Sequence, residues 1–168
     1  MKLIKKPSLG SLKKWKIFEH IPDDELKQIH TKIEYCHYDH EESIIHENSI
    51  GDHIFVLASG KVRIEKQVRE NESEVLGFYD EVGGLFGEMA LLEDKPRSAG
   101  MIADSDCEVL AVSKEDFLEL VHSVPLFTLS VAKNISQFLR ETDERLINKL
   151  RKENDELRHM NYRLQETQ

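Results

Sequence analysis

The chain has 168 residues, a formal net charge of −9, and 33% charged residues. That length suits one globular domain with a polar extension, and no apolar run is long enough to span a membrane. The opening Met1-Lys2-Leu3-Ile4-Lys5-Lys6 is too short and too polar for a signal peptide, so a soluble, cytoplasmic protein is expected.

The charge is unevenly spread. Residues 1–16 hold six lysines and no acid, and residues 140–168 hold seven bases and seven acids. Residues 17–139 therefore carry about −15. Such a body repels nucleic acid and anionic lipid at long range, and no nucleic-acid partner is expected. A small anionic ligand would have to be held by local groups. Cys36 and Cys107 sit in apolar, strand-like contexts. They read as reduced core thiols, with a disulfide as the alternative.

Three segments are predicted: a basic stretch 1–16, a body 17–124 and a long helix 125–168. Residues 8–20 predict a short helix with Leu9, Leu12, Trp15, Ile17 and Phe18 on its apolar side. Its lysines are expected in water, and no membrane contact is expected of residues 1–16. Pro22 and the acids Asp23, Asp24 and Glu25 then start a second helix that runs to about Lys32.

From Ile33 to Ser113 the pattern changes to short strands. Ile33, Tyr35 and His37 alternate with polar neighbours, and Ser43–His46 is a second strand. The run His53–Ala58 is more uniformly apolar and stops at Ser59-Gly60. Val62, Ile64 and Val68 alternate with Lys61, Arg63 and Glu65, and a polar turn at Asn71-Glu72 precedes Val75, Leu76 and Phe78. Two further strands, Ala99–Ala103 and Glu108–Val112, flank a turn at Asp104-Ser105-Asp106. Strands this short, at this spacing, predict an antiparallel roll or jelly-roll-like barrel. The fold class is α+β, an eight-stranded roll flanked by helices.

Ser113 reads as an N-cap with Asp116 three residues on. The helix it opens is expected to bury Phe117, Leu118 and Val121. Val124-Pro125 ends it and begins a longer one, free of Gly and Pro to Gln168. The end of that helix carries a heptad: Ile147, Asn154 and Asn161 at a; Leu150, Leu157 and Leu164 at d. Leu at d with Asn at a favours a parallel two-stranded coil, and Glu153 at g faces Arg158 at e of a partner. A homodimer through residues 125–168 is therefore expected, with a solvated single helix as the alternative. A second register puts Leu150, Leu157 and Leu164 at a and Leu139, Leu146 and Met160 at d. It leaves Glu153 in the core and is disfavoured. About three heptads are marginal alone.

The most informative stretch is Leu85-Phe86-Gly87-Glu88-Met89-Ala90-Leu91-Leu92, followed by Lys95-Pro96-Arg97-Ser98-Ala99. An arginine offers a planar fork of donors that matches phosphate oxygens. An ionised glutamate only accepts, which suits a sugar hydroxyl. Free amides at the start of a helical turn add donors for an anion.

This segment resembles the phosphate-binding cassette of cyclic nucleotide-binding domains, the family of bacterial catabolite activator proteins and of the regulatory subunit of cyclic-AMP-dependent protein kinase. Its pattern is Phe-Gly-Glu-Leu-Ala-Leu, a few variable residues, then Pro-Arg, a small residue and Ala. Met89 alone departs, a volume-conserving exchange. Ile17-Phe18, Ile21 to Leu26, Gly51-Asp52 and Ile54 to Gly60 also resemble the family, over roughly residues 15–145. The resemblance implies that cyclic AMP or cyclic GMP is the ligand. It implies that Arg97 pairs with the cyclic phosphate and that Glu88 accepts from the ribose 2′-hydroxyl. Amides near Ala90 and Ala99 complete the cradle, and Ser98 adds a hydroxyl. Phe86, Gly87 and Met89 belong to the same cassette. In catabolite activators a Thr and a following Ser on the long helix read the base. Thr142 matches that pair here, whereas Asp143 departs from it.

The chain has no P-loop, nucleophile elbow or metal-ligand spacing, so no enzyme and no metal are expected. His37-Tyr38-Asp39-His40 reads as a solvated strand end. No helix-turn-helix follows the long helix, which leaves two readings. The module signals through its C-terminal helix to an unknown effector, or a DNA-binding part lies beyond Gln168. A dimerisation scaffold with a relic pocket is a further alternative.

Overall fold

The computed structural model describes residues 1–166, with side chains through Arg163. The chain divides into two compact units, Met1–Val131 and Ala132–Gln168.

The first unit opens with a strand, β1 (Lys2–Leu3), and a single helical turn, α1 (Leu9–Leu12). The predicted helix over 8–20 is thus far shorter than expected. Ser8 caps it through its hydroxyl, but beyond Leu12 the chain closes successive turns instead, with Trp15 N–H donating to Leu12 O and Phe18 N–H to Trp15 O. These turns bury Leu12, Ile17, Phe18 and Ile21 together, whereas one continuous helix, at 3.6 residues per turn, would put Leu12 and Ile21 on opposite faces. Within the basic stretch 1–16, β1 pairs antiparallel with β2 at the edge of the roll. Helix α2 (Asp23–Lys32) matches its prediction, with Pro22 at the N-cap and three acids in the first turn.

Eight strands follow: β2 (Ile33–Tyr38), β3 (Ser43–Ile45), β4 (His53–Ser59), β5 (Val62–Arg69), β6 (Glu72–Tyr79), β7 (Leu85–Phe86), β8 (Gly100–Ala103) and β9 (Cys107–Ser113). They form two antiparallel sheets, ordered β1-β2-β9-β4-β7 and β3-β8-β5-β6. This is the jelly-roll-like roll expected. The first sheet is covered on both faces: Ile54, Phe55, Val56 and Leu57 are consecutively buried, as are Val109, Leu110, Ala111 and Val112. Period-two reasoning therefore misplaces β2, where Cys36 and Tyr38 are buried alongside Ile33 while Tyr35 and His37 stay half-exposed. Both cysteines are free and buried. The second sheet ends in a hairpin whose outer half is solvated, with Val68, Val75, Leu76 and Phe78 exposed.

Helix α3 (Glu88–Glu93) lies between β7 and β8, and α4 (Lys114–Ser123) follows β9. Ser113 caps α4, its hydroxyl accepting from the Asp116 amide at 3.1 Å. The helix buries Phe117 and Leu120; Leu118 and Val121 are half-buried, a one-residue rotation from the expected face. Helix α5 (Pro125–Glu166) then begins in the first unit, where Phe127 stacks at 6.4 Å on Phe18 and meets Phe117 edge-on at 6.1 Å.

The second unit is the remainder of α5. Leu146, Ile147, Leu150, Leu157 and Met160 are all exposed along it, an apolar stripe with nothing of its own unit covering it. Leu164, the last predicted d residue, falls outside the described side chains. Among the described residues no helix is long and apolar enough to cross a membrane.

Candidate functional site

The cassette is built around a sharp change of direction. Strand β7 is buried and pairs with β4 through Phe55 and Phe86 and through Val56 and Leu85. Phe86 stacks on Phe55 at 5.4 Å and tilts against Tyr79 at 5.6 Å. The chain then turns at Gly87, whose φ of +82° lies in the left-handed region that only glycine enters without strain. A Cβ there would also meet Arg97 Nη1 at 3.0 Å and Ile45 Cδ1 at 3.1 Å. Gly87 is the N-cap of α3, so Glu88 is its first helical residue. Across from this helix, a Cβ on Gly51 would lie 2.9 Å from Ala90 Cβ. Two glycines thus allow β7, α3 and the loop before β4 to close together.

Arg97 is fixed by main chain on both sides. Its amide donates to Ser49 O at 2.9 Å and its carbonyl accepts from the Asn48 amide at 2.8 Å. Its guanidinium donates from Nη1 to Gly87 O and from Nη2 to His53 O. One side chain therefore ties the start of α3 to the start of β4. The fork keeps further N–H groups.

Glu88 and Arg97 are the two buried charged residues among those described, at 7% and 5% exposure. Burial holds the Glu88 carboxyl above the usual range, opposed by its own backbone N–H and by the charge of Arg97. Burial likewise lowers the Arg97 guanidinium, opposed first by Asp52 and then by Glu88. In both, desolvation outweighs the partner, because Arg97 directs its donors at carbonyls rather than at Glu88. Charges left this way are costly to bury, and they cluster where a ligand is handled.

The other predicted residues fall on the same turn and its return. Phe86 and Ala90 are buried, Gly87 and Ala99 half-buried, and Met89 and Ser98 exposed. The Ser98 carbonyl accepts from Lys66 Nζ at 2.7 Å. Thr142 belongs to the second unit and is exposed on α5, with its hydroxyl donating to Phe138 O at 2.8 Å. Three contributors were missed by site reasoning: Ile45, Asp52 and the His53 carbonyl. Gly51-Asp52 before an apolar strand was the available signal, since a glycine there marks a close approach. A backbone acceptor such as His53 O leaves no mark in sequence.

Away from the cassette, His37 Nε2 lies 3.2 Å from Asp39 Oδ1, just past the end of β2. Together with Asp106 they present three ligand atoms within 4.8 Å. The Lys2 ammonium already donates to both Asp39 oxygens, at 2.8 and 3.3 Å.

Two glycine-assisted turns and a buried Glu–Arg pair coincide with a sequence profile. The profile of the cyclic nucleotide-binding domain matches residues 35–123, more than half of the chain. The chain belongs to the cyclic nucleotide-binding domain family. The "Cyclic AMP receptor protein" of Thermus thermophilus is 35% identical over 106 residues, covering 63% of this chain and 49% of that protein. The human "cGMP-dependent protein kinase 2" is 33% identical over 106 residues, 62% of this chain and 14% of the kinase. In three dimensions the chain is similar to the Thermus thermophilus catabolite activator protein. That match has a TM-score of 0.65 and 30% identity, over 78% of this chain and 61% of that one. This cyclic nucleotide-binding domain thus spans about half of its bacterial relative and a small part of the kinase.

Proposed function

We propose that this domain is a sensor of cyclic AMP or cyclic GMP, and that it signals through its C-terminal helix. The observation that carries the reading is the pair Glu88 and Arg97, the two buried charges of the described fold, Glu88 directly after the Gly87 turn and Arg97 hydrogen-bonded to the Gly87 carbonyl. A fork of donors beside an acceptor-only carboxylate is complementary to a cyclic phosphate joined to a ribose hydroxyl.

In this reading the ligand's phosphate takes the free N–H groups of Arg97, with the amides near Ala90 and Ala99 and the hydroxyl of Ser98 around it. Glu88 accepts from the 2′-hydroxyl. Phe86, Gly87 and Met89 shape the turn. Thr142 contacts the purine once α5 covers it. Ligand then shifts the position of α5 by its different affinity for two arrangements of the helix. The exposed stripe from Leu146 to Met160 forms a parallel homodimer that passes the shift to a downstream effector. The domain binds and does not turn over its ligand, needs no metal, and works in the cytoplasm.

Calorimetric titration with cyclic AMP and cyclic GMP in parallel tests the proposal. Saturable binding of either at one site per chain is expected. A folded protein that binds neither would overturn it in favour of a dimerising scaffold.

A further inference from the structure

Three side chains with metal-binding chemistry meet at one end of the first sheet. The β2–β9 register pairs Tyr38 with Cys107, so Asp39 and Asp106 are the next residues outward on the two chains. His37 is the last but one residue of β2. A ring nitrogen of His37 and one carboxylate oxygen each of Asp39 and Asp106 lie within 4.8 Å of one another. Main chain holds the arrangement. The His40 amide donates to Asp106 Oδ1 at 2.9 Å, which ties the β8–β9 turn to the end of β2. The Asp39 amide donates to Glu42 Oε2 at 3.0 Å. None of the three residues belongs to the cassette, and none lines the cavity beside Arg97.

A cation from the chain itself already sits at this place. Lys2 stands opposite His37 in the β1–β2 register, and its ammonium donates to both oxygens of Asp39. The pair is exposed on both sides, at 67% and 56%, and exposed pairs are weak. One ammonium offsets one of the two carboxylates. The side chain of Asp106 accepts from the His40 amide and makes no ion pair among the described residues. A divalent ion would neutralise both carboxylates at once.

The donor set selects the kind of ion. An imidazole nitrogen with two carboxylates suits Zn2+ and its neighbours, whereas Mg2+ and Ca2+ take oxygen shells. Zn2+ bonds of about 2.0–2.2 Å place ligands roughly 3.4 Å apart. Rotation of the Asp39 and Asp106 side chains, both exposed, closes the difference. Three protein ligands leave the remaining position to water.

We propose that His37, Asp39 and Asp106 form a site for a divalent transition metal of the Zn2+ class, which enters by displacing the Lys2 ammonium. Lys2 is then a built-in competitor, and its removal strengthens the site. The site does not rest on the sensor reading.

The test uses the full chain, without nucleotide, titrated with Zn2+ by calorimetry and by 1H–15N NMR. Saturable binding of one ion per chain is expected, with shifts centred on the amides of His37, Asp39, His40 and Asp106. His37→Gln should weaken it at least about tenfold, the loss of one of three ligands. Asp106→Asn keeps an acceptor for the His40 amide and should weaken it likewise. Lys2→Gln should tighten it about two- to fivefold, the size of an exposed ion pair that no longer has to be broken. Circular dichroism checks that each variant is folded. Absence of saturable binding, or a folded His37→Gln protein with unchanged affinity, overturns the site. Unchanged affinity in Lys2→Gln overturns the displacement of Lys2. Effective competition by Mg2+ overturns the choice of metal.

Discussion

Replacing Arg97 by Ala separates ligand binding from folding. In the free protein the guanidinium makes two hydrogen bonds, to Gly87 O and His53 O. Bonds to a charged donor contribute about 1.5–3 kcal/mol each. Against them stands the desolvation of a guanidinium that is only 5% exposed, several kcal/mol for a buried ion. The two effects largely cancel, so thermal unfolding of the ligand-free variant should shift by no more than about 2 kcal/mol. Bound ligand changes the balance, because the phosphate charge then compensates the cation. Truncating one partner of a buried, hydrogen-bonded charge contact costs about 2–5 kcal/mol, or roughly 30-fold to several-thousand-fold in Kd. Calorimetric titration of Arg97→Ala with cyclic AMP and cyclic GMP reads this loss directly, and circular dichroism checks the fold. Arg97→Lys keeps the charge and loses the fork, and should fall between. A folded Arg97→Ala protein with wild-type nucleotide affinity would refute the reasoning.

Three further outcomes follow from the same geometry. Glu88 has a folded pKa raised by burial, so its contribution to stability is present below the ordinary carboxylate range and is lost as pH rises through the elevated value. Glu88→Gln should therefore be more stable than wild type near pH 7 in thermal melts, with a flatter pH dependence above pH 4, and should bind nucleotide more weakly. Gly87→Ala forces a side chain into φ +82° against Arg97 and Ile45. A cost of about 1–3 kcal/mol is expected, which lowers Tm by roughly 2–4 °C per kcal/mol for a chain of this size; an unshifted Tm contradicts the turn as described. Leu157→Lys puts a charge in the exposed stripe of α5. Sedimentation equilibrium should give a monomer while nucleotide binding persists, and a variant that remains dimeric excludes this stripe as the interface.

Much of the fold was legible because its signals are local. Pro22 with three acids, Ser113 with Asp116, and a Gly- and Pro-free run after Pro125 each mark a helix by its own backbone chemistry. The strands between Ile33 and Ser113 were readable from apolar runs broken by Gly60, Asn71 and Asp104 to Asp106. Their faces were less so. Alternation assumes that one face meets water, and β2, β4 and β9 are covered on both. The helix expected at 8–20 failed for a related reason: one continuous helix would put Leu12 and Ile21 on opposite faces, and the turns that bury both replace the helical ladder. β1 went unseen because two residues of strand carry no pattern, only an edge to pair with.

By itself the sequence determined the residue types and order of the cassette, and with them the family. Arg97, Glu88 and Gly87 are picked out because the whole string around them resembles the family's cassette. Only the tertiary structure decided what surrounds them. It buried both charges, turned Arg97 toward the carbonyls of Gly87 and His53, and brought Asp52 close enough to act on Arg97 more strongly than Glu88 does. It also set Glu34 and Phe55, 21 positions apart in the chain, in one row across the sheet. The physical reason is that desolvation and backbone acceptors depend on which strands lie side by side, and no short stretch of residues encodes that.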